Sequence, residues 1–293
     1  MAGVIVVGSS NVDQVFRVDR IPEPGETVLS TGFANARGGK GQNQAVAAVR
    51  AGAPTVFVTA VGDDGFGRLT TDGLAEDGID LSRVRTVASA TGTALIAVDP
   101  HGENTIIVEA GANRELVPLD DADRAAIAGA SVLVLQLEIP LETVTEAAVA
   151  GRAAGTTVIL NAAPIADLPD ALLANLDVLI VNEHEAAHLR ASTGADDLTS
   201  LVDTVIVTLG ADGAALQRRG QGDVRVPAPK VAAVDATGAG DTFCGALGAI
   251  LAEGAAVEDA LRFAVAAASL SVQNHGAVPS IPLRAAIDAA VLT

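Results

Sequence analysis

The stretch DATGAGDTFCG, Asp235 to Gly245, sets an aspartate directly after Gly-Ala-Gly and just ahead of the apolar run TFCGALGAILA. A Gly-rich turn feeding a helix leaves the first backbone N–H groups without intrahelical partners, so those of Ala239, Gly240 and Asp241 are expected to point into one concavity. Such a concavity suits an anion. The best match is a phosphoryl group in transfer, whose charge spreads over three oxygens and whose catalysis is mainly positioning and electrostatic stabilisation. Asp241 would then stand beside the phosphorus and accept a proton from an attacking hydroxyl. A helix N-terminus favours the ionised carboxylate, which predicts a weak base that is always deprotonated at neutral pH. The plain alternative is that Asp241 only starts a helix. Cys244, the single cysteine, lies one turn on among Phe243, Ala246 and Leu247, with no histidine close in sequence. A nearby carboxylate and apolar surroundings both raise a thiol's pKa, so core packing accounts for it.

Four further segments carry polar side chains at the ends of apolar runs. In GSSNVD, Asn11 and Asp13 stand two apart, on one face of an extended chain at the carboxyl end of a buried strand, where α/β ligands usually bind. An Asx-stabilised turn is the alternative there. The G-x-G-x-x-G dinucleotide fingerprint is absent, and the segment is expected to continue as strand. RGGKGQNQAVAAVRAG is not a P-loop, because position 34 is Ala and position 41 is Gly. It reads as a turn exposing backbone at a helix N-terminus, with Gly39, Lys40 and Asn43 placed to hydrogen-bond a hydroxylated ligand. In VTLGADGA, Thr208, Gly210 and Gly213 mark a tight turn that can also expose amides to a nucleotide.

NEHEAAHL allows two uses of one glutamate. His184-Glu185-x-x-His188 has the H-E-x-x-H zinc spacing, but a third protein ligand at the usual distance is missing. In the second reading Asn182 and Glu185 form an N-x-x-E unit at a strand end that orders hydrated Mg2+ and nucleotide phosphates. The same pair is close to a helix capping box, and the two roles are compatible.

These residues need a frame to hold them. The chain has 293 residues, 49% hydrophobic, with 36 acidic and 18 basic side chains and a formal charge of -18. That balance repels a long polyanion or an anionic membrane, so no nucleic acid and no membrane partner is expected, while a small anion such as ATP is admitted by local amides and a metal ion. One cysteine forms no internal disulfide, the start MAGVIVVGSSNVD lacks a signal-peptide pattern, and no apolar run reaches roughly 18 residues. A cytoplasmic protein is expected.

Runs at 4–8, 55–62, 131–138, 157–164, 177–183 and 203–210 read as strands buried on both faces. Helix patterns at 40–51, 66–77, 120–129, 141–154, 183–192, 241–253 and 257–273 alternate with most of them. The alternation predicts an α/β fold with a mostly parallel sheet between two helical layers. Segments 13–36 and 91–112 instead alternate polar and apolar residues around the turns PEPGE and DPHGE, and are expected as hairpins standing apart from that sheet. No linker separates them, which predicts one domain over 1–293 with an inserted flap. Residues 210–231 read as short antiparallel strands at the far edge.

With GSSNVD, GGKGQNQA, NEHE, VTLGADG and DATGAGDTFCG in this order and spacing, the chain resembles the ribokinase-like (PfkB-type) sugar kinases over nearly its whole length. GGKGQNQA and HGAVPSIP are most similar to the ribose-phosphorylating branch. The resemblance implies a three-layer α/β/α fold, a small β-sheet lid that often pairs with a partner's lid in a homodimer, and ATP-dependent phosphorylation of a sugar's primary hydroxyl. It implies that Asn11, Asp13, Gly39, Lys40, Asn43 and Glu138 hold the sugar and that Asp241 is the base, with Gly238, Ala239 and Gly240 forming the anion hole. By the same likeness Asn182 and Glu185 organise Mg-ATP, and Thr208, Gly210 and Gly213 contact the nucleotide. Asp235, Thr237, Ser271, Asn274, Gly276 and Ser280 match positions binding an activating monovalent cation such as K+. Gln42, Asn274-His275 and Cys244 depart from the family pattern, where Ala, a more basic pair and Asn are usual.

The expected reaction is ribose and ATP to ribose 5-phosphate and ADP. Same-fold rivals phosphorylate deoxyribose, fructose, 2-keto-3-deoxygluconate or adenosine. A nucleoside needs aromatic surfaces, and Phe16 and Phe33 are the only aromatics of the flap. The rivals of other classes are a zinc hydrolase at His184 and His188 and a non-catalytic sugar-binding protein.

Overall fold

A computed structural model describes residues 3–292. In chain order the strands are β1 (Val4–Val7), β2 (Asn11–Arg17), β3 (Gly32–Gly38), β4 (Thr55–Gly62), β5 (Val84–Val87), β6 (Gly92–Val98), β7 (Asn104–Glu109), β8 (Val132–Leu135), β9 (Thr157–Asn161), β10 (Val178–Asn182), β11 (Thr204–Thr208), β12 (Ala214–Arg218) and β13 (Val224–Val226). The helices are α1 (Lys40–Arg50), α2 (Gly65–Glu76), α3 (Asp121–Ala128), α4 (Leu141–Ala154), α5 (Asp170–Leu173), α6 (Glu183–Thr193), α7 (Ala239–Ala252), α8 (Val257–Ser271), α9 (Ala277–Ser280) and α10 (Arg284–Val291).

The Val/Ile runs form one nine-stranded sheet in the order β13-β12-β11-β10-β9-β8-β1-β4-β5. It is parallel from β11 to β5, and only β12 and β13 run antiparallel, at the edge where short strands were expected. Alternation along each strand sends side chains to two faces. Val4 and Val6 join Ala47, Phe243, Leu247 and Leu261 of α1, α7 and α8, while Ile5 and Val7 join Ile127, Val144, Leu172 and Leu189 of α3 to α6. Both faces are therefore covered, giving the three-layer α/β/α arrangement.

Segments 13–36 and 91–112 supply most of a second sheet, ordered β3-β2-β6-β7. The β2–β3 and β6–β7 pairs are antiparallel hairpins, but a parallel β2–β6 pairing joins them into one sheet. Phe16 and Phe33 pair on it with ring centroids 4.8 Å apart. The edge strand β7 is exposed throughout, including Ile106, Ile107 and Val108.

Two expectations need correction. The chain does not continue as strand through GSSNVD: β1 ends at Val7, Gly8 to Ser10 are irregular, and β2 begins at Asn11 in the other sheet. The run 131–138 is strand only to Leu135, because Gln136 turns its amide back to donate to the Val7 carbonyl at 3.1 Å, leaving Glu138 in the loop before α4. Hydrophobic periodicity registers burial, and Gly8 to Ser10 and Gln136 are buried without being in the ladder.

One ion cluster ties the second sheet to the helical layer. Asp77, which caps the end of α2, accepts from Arg37 of β3 at 2.7 Å and from Arg50 of α1 at 2.7 Å, and Arg50 also donates to the Val278 and Ile281 carbonyls. All three side chains are at least four-fifths buried. Removing the shared anion leaves two guanidinium groups without their counter-charge, which is far costlier than losing a surface pair. Asp77→Ala is therefore expected to lower unfolding free energy by about 2–3 kcal/mol, seen as a lower urea midpoint at constant slope. A shift within about 0.5 kcal/mol would class the cluster with ordinary surface pairs.

Candidate active site

The carboxyl end of β1 is where the separate motifs meet. Gly39 caps α1 with a left-handed φ of 89°, and Gly41 lies so close to the chain before β2 that a Cβ there would stand 2.5 Å from Ser9 N. These two glycines let the first turn of α1 press on the Gly8–Ser10 backbone. Glu138 fastens that contact. Its Oε2 accepts from Ser9 Oγ at 2.6 Å and from the Lys40 amide at 2.9 Å, and Ser9 Oγ accepts from the Gly41 amide at 3.2 Å.

Asn11 is buried and oriented by a residue the sequence reading missed. Asn113 Nδ2 donates to Asn11 Oδ1 at 2.8 Å, while Asn113 Oδ1 accepts from the Ser10 amide at 2.8 Å. Nothing in the local pattern around GANRE marks it, since the partner lies about a hundred residues away. Asp13, two residues along β2, faces Gly38, where a Cβ would overlap its carboxylate.

Asp241 is the third residue of α7, and both of its oxygens are engaged from α1. Asn43 Nδ2 donates to Oδ2 at 2.9 Å and Gln44 Nε2 to Oδ1 at 3.0 Å. Gln44 was not among the expected site residues. Residues 41 to 48 of α1 are all buried, so no amphipathic pattern distinguishes a side chain aimed at a carboxylate from one in the core.

Burial sets the electrostatics here. It raises the Asp241 carboxyl above the ordinary aspartate value, against the opposing effects of the Lys40 charge and the Asn43 and Gln44 donors, with Glu138 adding to the rise. Asp241 is therefore a stronger base than the helix N-terminus alone predicts. Desolvation of a fully enclosed carboxylate outweighs a partial charge of about half a unit at a helix end. Burial, then Glu138 and Asp241, pushes Asp13 up to about 6. For Lys40 burial acts downward, but Asp241, Glu138, Glu185 and Cys244 together raise it, so the ammonium stays charged among the carboxylates.

The concavity at α7 differs in one detail from the expectation. Gly238 takes a left-handed φ of 75° as the cap, and the Ala239 amide closes the turn on the Ala236 carbonyl at 3.2 Å. The amides of Gly240 and Asp241 are the ones left without protein partners among the described residues. A Cβ added at Gly240 would meet nothing within 4 Å, so open space lies against it.

That space belongs to a cleft of about 230 Å3 lined by Lys40, Asn161, Asn182, Glu185, Thr208, Gly238, Gly240, Asp241 and Cys244. Gly210 and Gly213 lie beyond Thr208 in a tight turn, with Leu209 N donating to the Gly213 carbonyl at 2.8 Å. Asn161, at the end of β9, is a wall residue that the sequence reading missed. A hollow of about 270 Å3 at the sheet's far edge, lined by Arg190, Thr199, Gln217 and Arg218 among others, is slightly larger but holds none of these groups. Cys244 is 1% exposed and its thiol is driven well up by burial, in keeping with packing.

Asn182 and Glu185 form a reciprocal capping box at α6: Asn182 Oδ1 accepts from the Glu185 amide at 2.8 Å, and Glu185 Oε2 from the Asn182 amide at 2.7 Å. The set is oxygen only and faces the same cleft as the unpaired amides, which fits a hydrated divalent cation with phosphates better than a soft metal. The zinc alternative finds no support. His188 pairs with Asp167 at 3.0 Å, and no group of three or more His, Cys, Asp or Glu is placed to hold a metal among the described residues.

Asp235 links the remaining predicted set. Its Oδ1 accepts from the Thr237 amide at 2.9 Å and its Oδ2 from the Gly276 amide at 2.8 Å, and these contacts lower its pKa despite burial. Ser271 and Ser280 donate their hydroxyls to carbonyls of their own helices, leaving oxygen lone pairs as acceptors, while Thr237 and Asn274 are exposed. The structure thus joins Asp235, Thr237 and Gly276 by hydrogen bonds, and does not join Ser271, Asn274 and Ser280 to them in that way.

The raised Asp13 carboxyl has a consequence for stability. Its folded value of about 6 exceeds the ordinary aspartate value, so folding is favoured with the proton on and loses stability as pH rises from about 4 to 6. Asp13→Asn removes this penalty. The ligand-free variant is expected to exceed the parent by roughly 3 kcal/mol near pH 7.5 and to match it near pH 4, measured by denaturant melts. A variant weaker at both pH values would show that the carboxylate's contacts outweigh its desolvation.

Comparison with known proteins agrees with this geometry. A family model described as pfkB family carbohydrate kinase matches residues 1–284. The ribokinase of Haemophilus influenzae is 38% identical over 291 residues, 95% of each chain, and the deoxyribokinase of Salmonella typhi is 37% identical over 298 residues, again 95% of each. Among solved structures, Arabidopsis thaliana ribokinase complexed with ribose and ATP superposes with a TM-score of 0.94 at 36% identity over 100% of both chains. An open amide pair beside an enclosed aspartate, on this three-layer frame and at this level of identity, places the chain in the pfkB family of carbohydrate kinases.

Proposed function

We propose that this protein transfers the γ-phosphoryl group of ATP to the primary hydroxyl of D-ribose, giving D-ribose 5-phosphate and ADP. The observation that carries this reading is the juxtaposition at α7: an enclosed Asp241, fixed through both oxygens, next to the unpaired amides of Gly240 and Asp241. A proton acceptor and an anion cradle are the two things a sugar kinase must place side by side.

In this reading Asn11, Asp13, Gly39, Lys40, Asn43 and Glu138 bind the sugar hydroxyls. Asp241 takes the proton as the primary oxygen bonds to the γ-phosphorus, and the bond from phosphorus to the bridging oxygen breaks with its electron pair leaving on ADP. Gly238 and Ala239 shape the turn, while the Gly240 and Asp241 amides receive the charge on the phosphoryl oxygens. Lys40, held protonated among the acids, adds a positive charge at the same place. Asn182 and Glu185 hold Mg-ATP, and Thr208, Gly210 and Gly213 border the nucleotide; bound Mg2+ neutralises phosphate charge. Asp235, Thr237, Ser271, Asn274, Gly276 and Ser280 hold K+, which stiffens the turn before α7 when bound.

The similarity to ribokinases supports ribose, and the deoxyribokinase at nearly equal identity makes the sugar's 2-hydroxyl the point to test. Phe16 and Phe33 pack against each other in a tilted pair, which supports a bare sugar rather than a nucleoside. We read residues 1–293 as one kinase domain with a lid from 13–36 and 91–112. The exposed Ile106, Ile107 and Val108 on β7 support a homodimer through that lid. Use of ATP supports a cytoplasmic enzyme, and no helix among the described residues is long and apolar enough to cross a membrane.

ADP release should be fastest with ribose among ribose, deoxyribose, fructose, adenosine and 2-keto-3-deoxygluconate; a faster rival sugar would replace ribose in the assignment. With that sugar, Asp241→Asn should lose about 10²–10⁴-fold in kcat while still binding sugar. Gly240→Ala should fold normally yet lose about 10²-fold, because its methyl enters the cradle. Activity should also rise when K+ replaces a large organic cation, and indifference to the exchange would remove the cation site.

A further inference from the structure

Gln44 has no exposed surface, and its Nε2 reaches Asp241 Oδ1 at 3.0 Å while the neighbouring Asn43 reaches Oδ2 at 2.9 Å. Two donors from consecutive residues of one helix therefore hold the two oxygens separately, and the carboxylate cannot turn about its Cβ–Cγ bond without losing both. The other end of the Gln44 amide is not satisfied: Oε1 is buried with no hydrogen-bond partner. An enclosed, unpaired carbonyl oxygen is destabilising, and Met, of the same length, would fill the space without it. Turning the amide over would set its oxygen against the carboxylate, so only the donor orientation is compatible with an ionised Asp241. The backbone is equally constrained, since a Cβ at Gly245 of α7 would overlap the Gln44 carbonyl and stand 2.6 Å from Ala47 Cβ.

We propose that Gln44 is a positioning residue for phosphoryl transfer, retained at a cost in stability because it holds Asp241 ionised and aimed at the sugar hydroxyl. The proposal rests on the reading of Asp241 as the base. The groups facing Asp241 act in both directions: Lys40 and the donors Asn43 and Gln44 favour the charged form, while burial and Glu138 oppose it. Loss of one donor moves the balance toward the protonated acid, which cannot accept the hydroxyl proton. The acidic limb of the rate profile then moves to higher pH.

The test is the single-turnover rate of ADP formation against pH, at saturating ribose and ATP, for the parent, Gln44→Met, Gln44→Glu and Asp241→Asn. Saturation with sugar separates the Asp241 limb from that of Asp13, which acts through sugar binding. Gln44→Met is expected to raise the acidic limb by about one pH unit, leave the sugar KM within about threefold, and keep or raise the melting temperature. Gln44→Glu sets a second carboxylate against the first and should raise the limb by about two units. An unshifted limb in Gln44→Met, or a rate lowered equally at every pH with a lower melting temperature, overturns the proposal. Should Gln44→Met fail to fold, Gln44→Glu, which keeps the side-chain size, decides it by the same shift. Full turnover by Asp241→Asn would instead remove the base reading itself, and is distinguishable because it involves no change at Gln44.

Discussion

The chemistry depends on the close crossing of α1 and α7. At Gly245 there is no room for even a methyl group against the Gln44 carbonyl, Ala47 and Ala48. A mid-helix glycine costs about 1 kcal/mol in helix propensity relative to alanine, and here the close crossing returns that through burial of both helices in one apolar layer. The crossing also decides where Asp241 is. One turn before Gly245, it is buried against α1, and side-chain amides of that helix donate to both of its oxygens.

Enclosure of one carboxylate changes the character of the whole site. Asp13 and Asp241 have raised proton affinity chiefly because they are desolvated, Glu138 adds to both, and Lys40 is the single cation among them. Such a group of acids is unfavourable in an empty protein. It becomes useful when hydroxyls and phosphates arrive, because a buried carboxylate is a better proton acceptor than one bathed in water, and each dipole is already oriented. The unpaired amides at α7 open onto the same cleft, already aimed at an anion.

The second sheet is held to this arrangement both through the chain and through charge. Covalently, β2 leaves the main sheet through Gly8 to Ser10, so Asn11 and Asp13 sit at the junction. Electrostatically, Arg37 at the foot of β3 shares Asp77 with Arg50, and Arg50 also holds the carbonyls of Val278 and Ile281 beside the Asp235–Gly276 contact loop. The foot of the lid and the loop proposed for the monovalent cation thus share one partly buried ion cluster. The outer edge of this sheet, β7, is exposed along its length, and Glu109 at its end pairs with Arg114 at 3.4 Å.

The sequence by itself determined the layers and the location of the chemistry. Val/Ile runs alternating with Ala-rich helices leave a parallel sheet little alternative, since both faces of those strands must be covered. Glycines before Lys40 and Asp241 announced where backbone would be exposed, and motif order supplied the family. Which side chains meet depends instead on the packing of distant segments. Asn113, Asn161 and Gln44 carry no local signal, because their partners lie far along the chain or their helix is buried on every side. The proton affinity of Asp241 was likewise out of reach: a helix start alone predicts a weak base, and only the packing of α1 across it reveals the desolvation that makes it a stronger one.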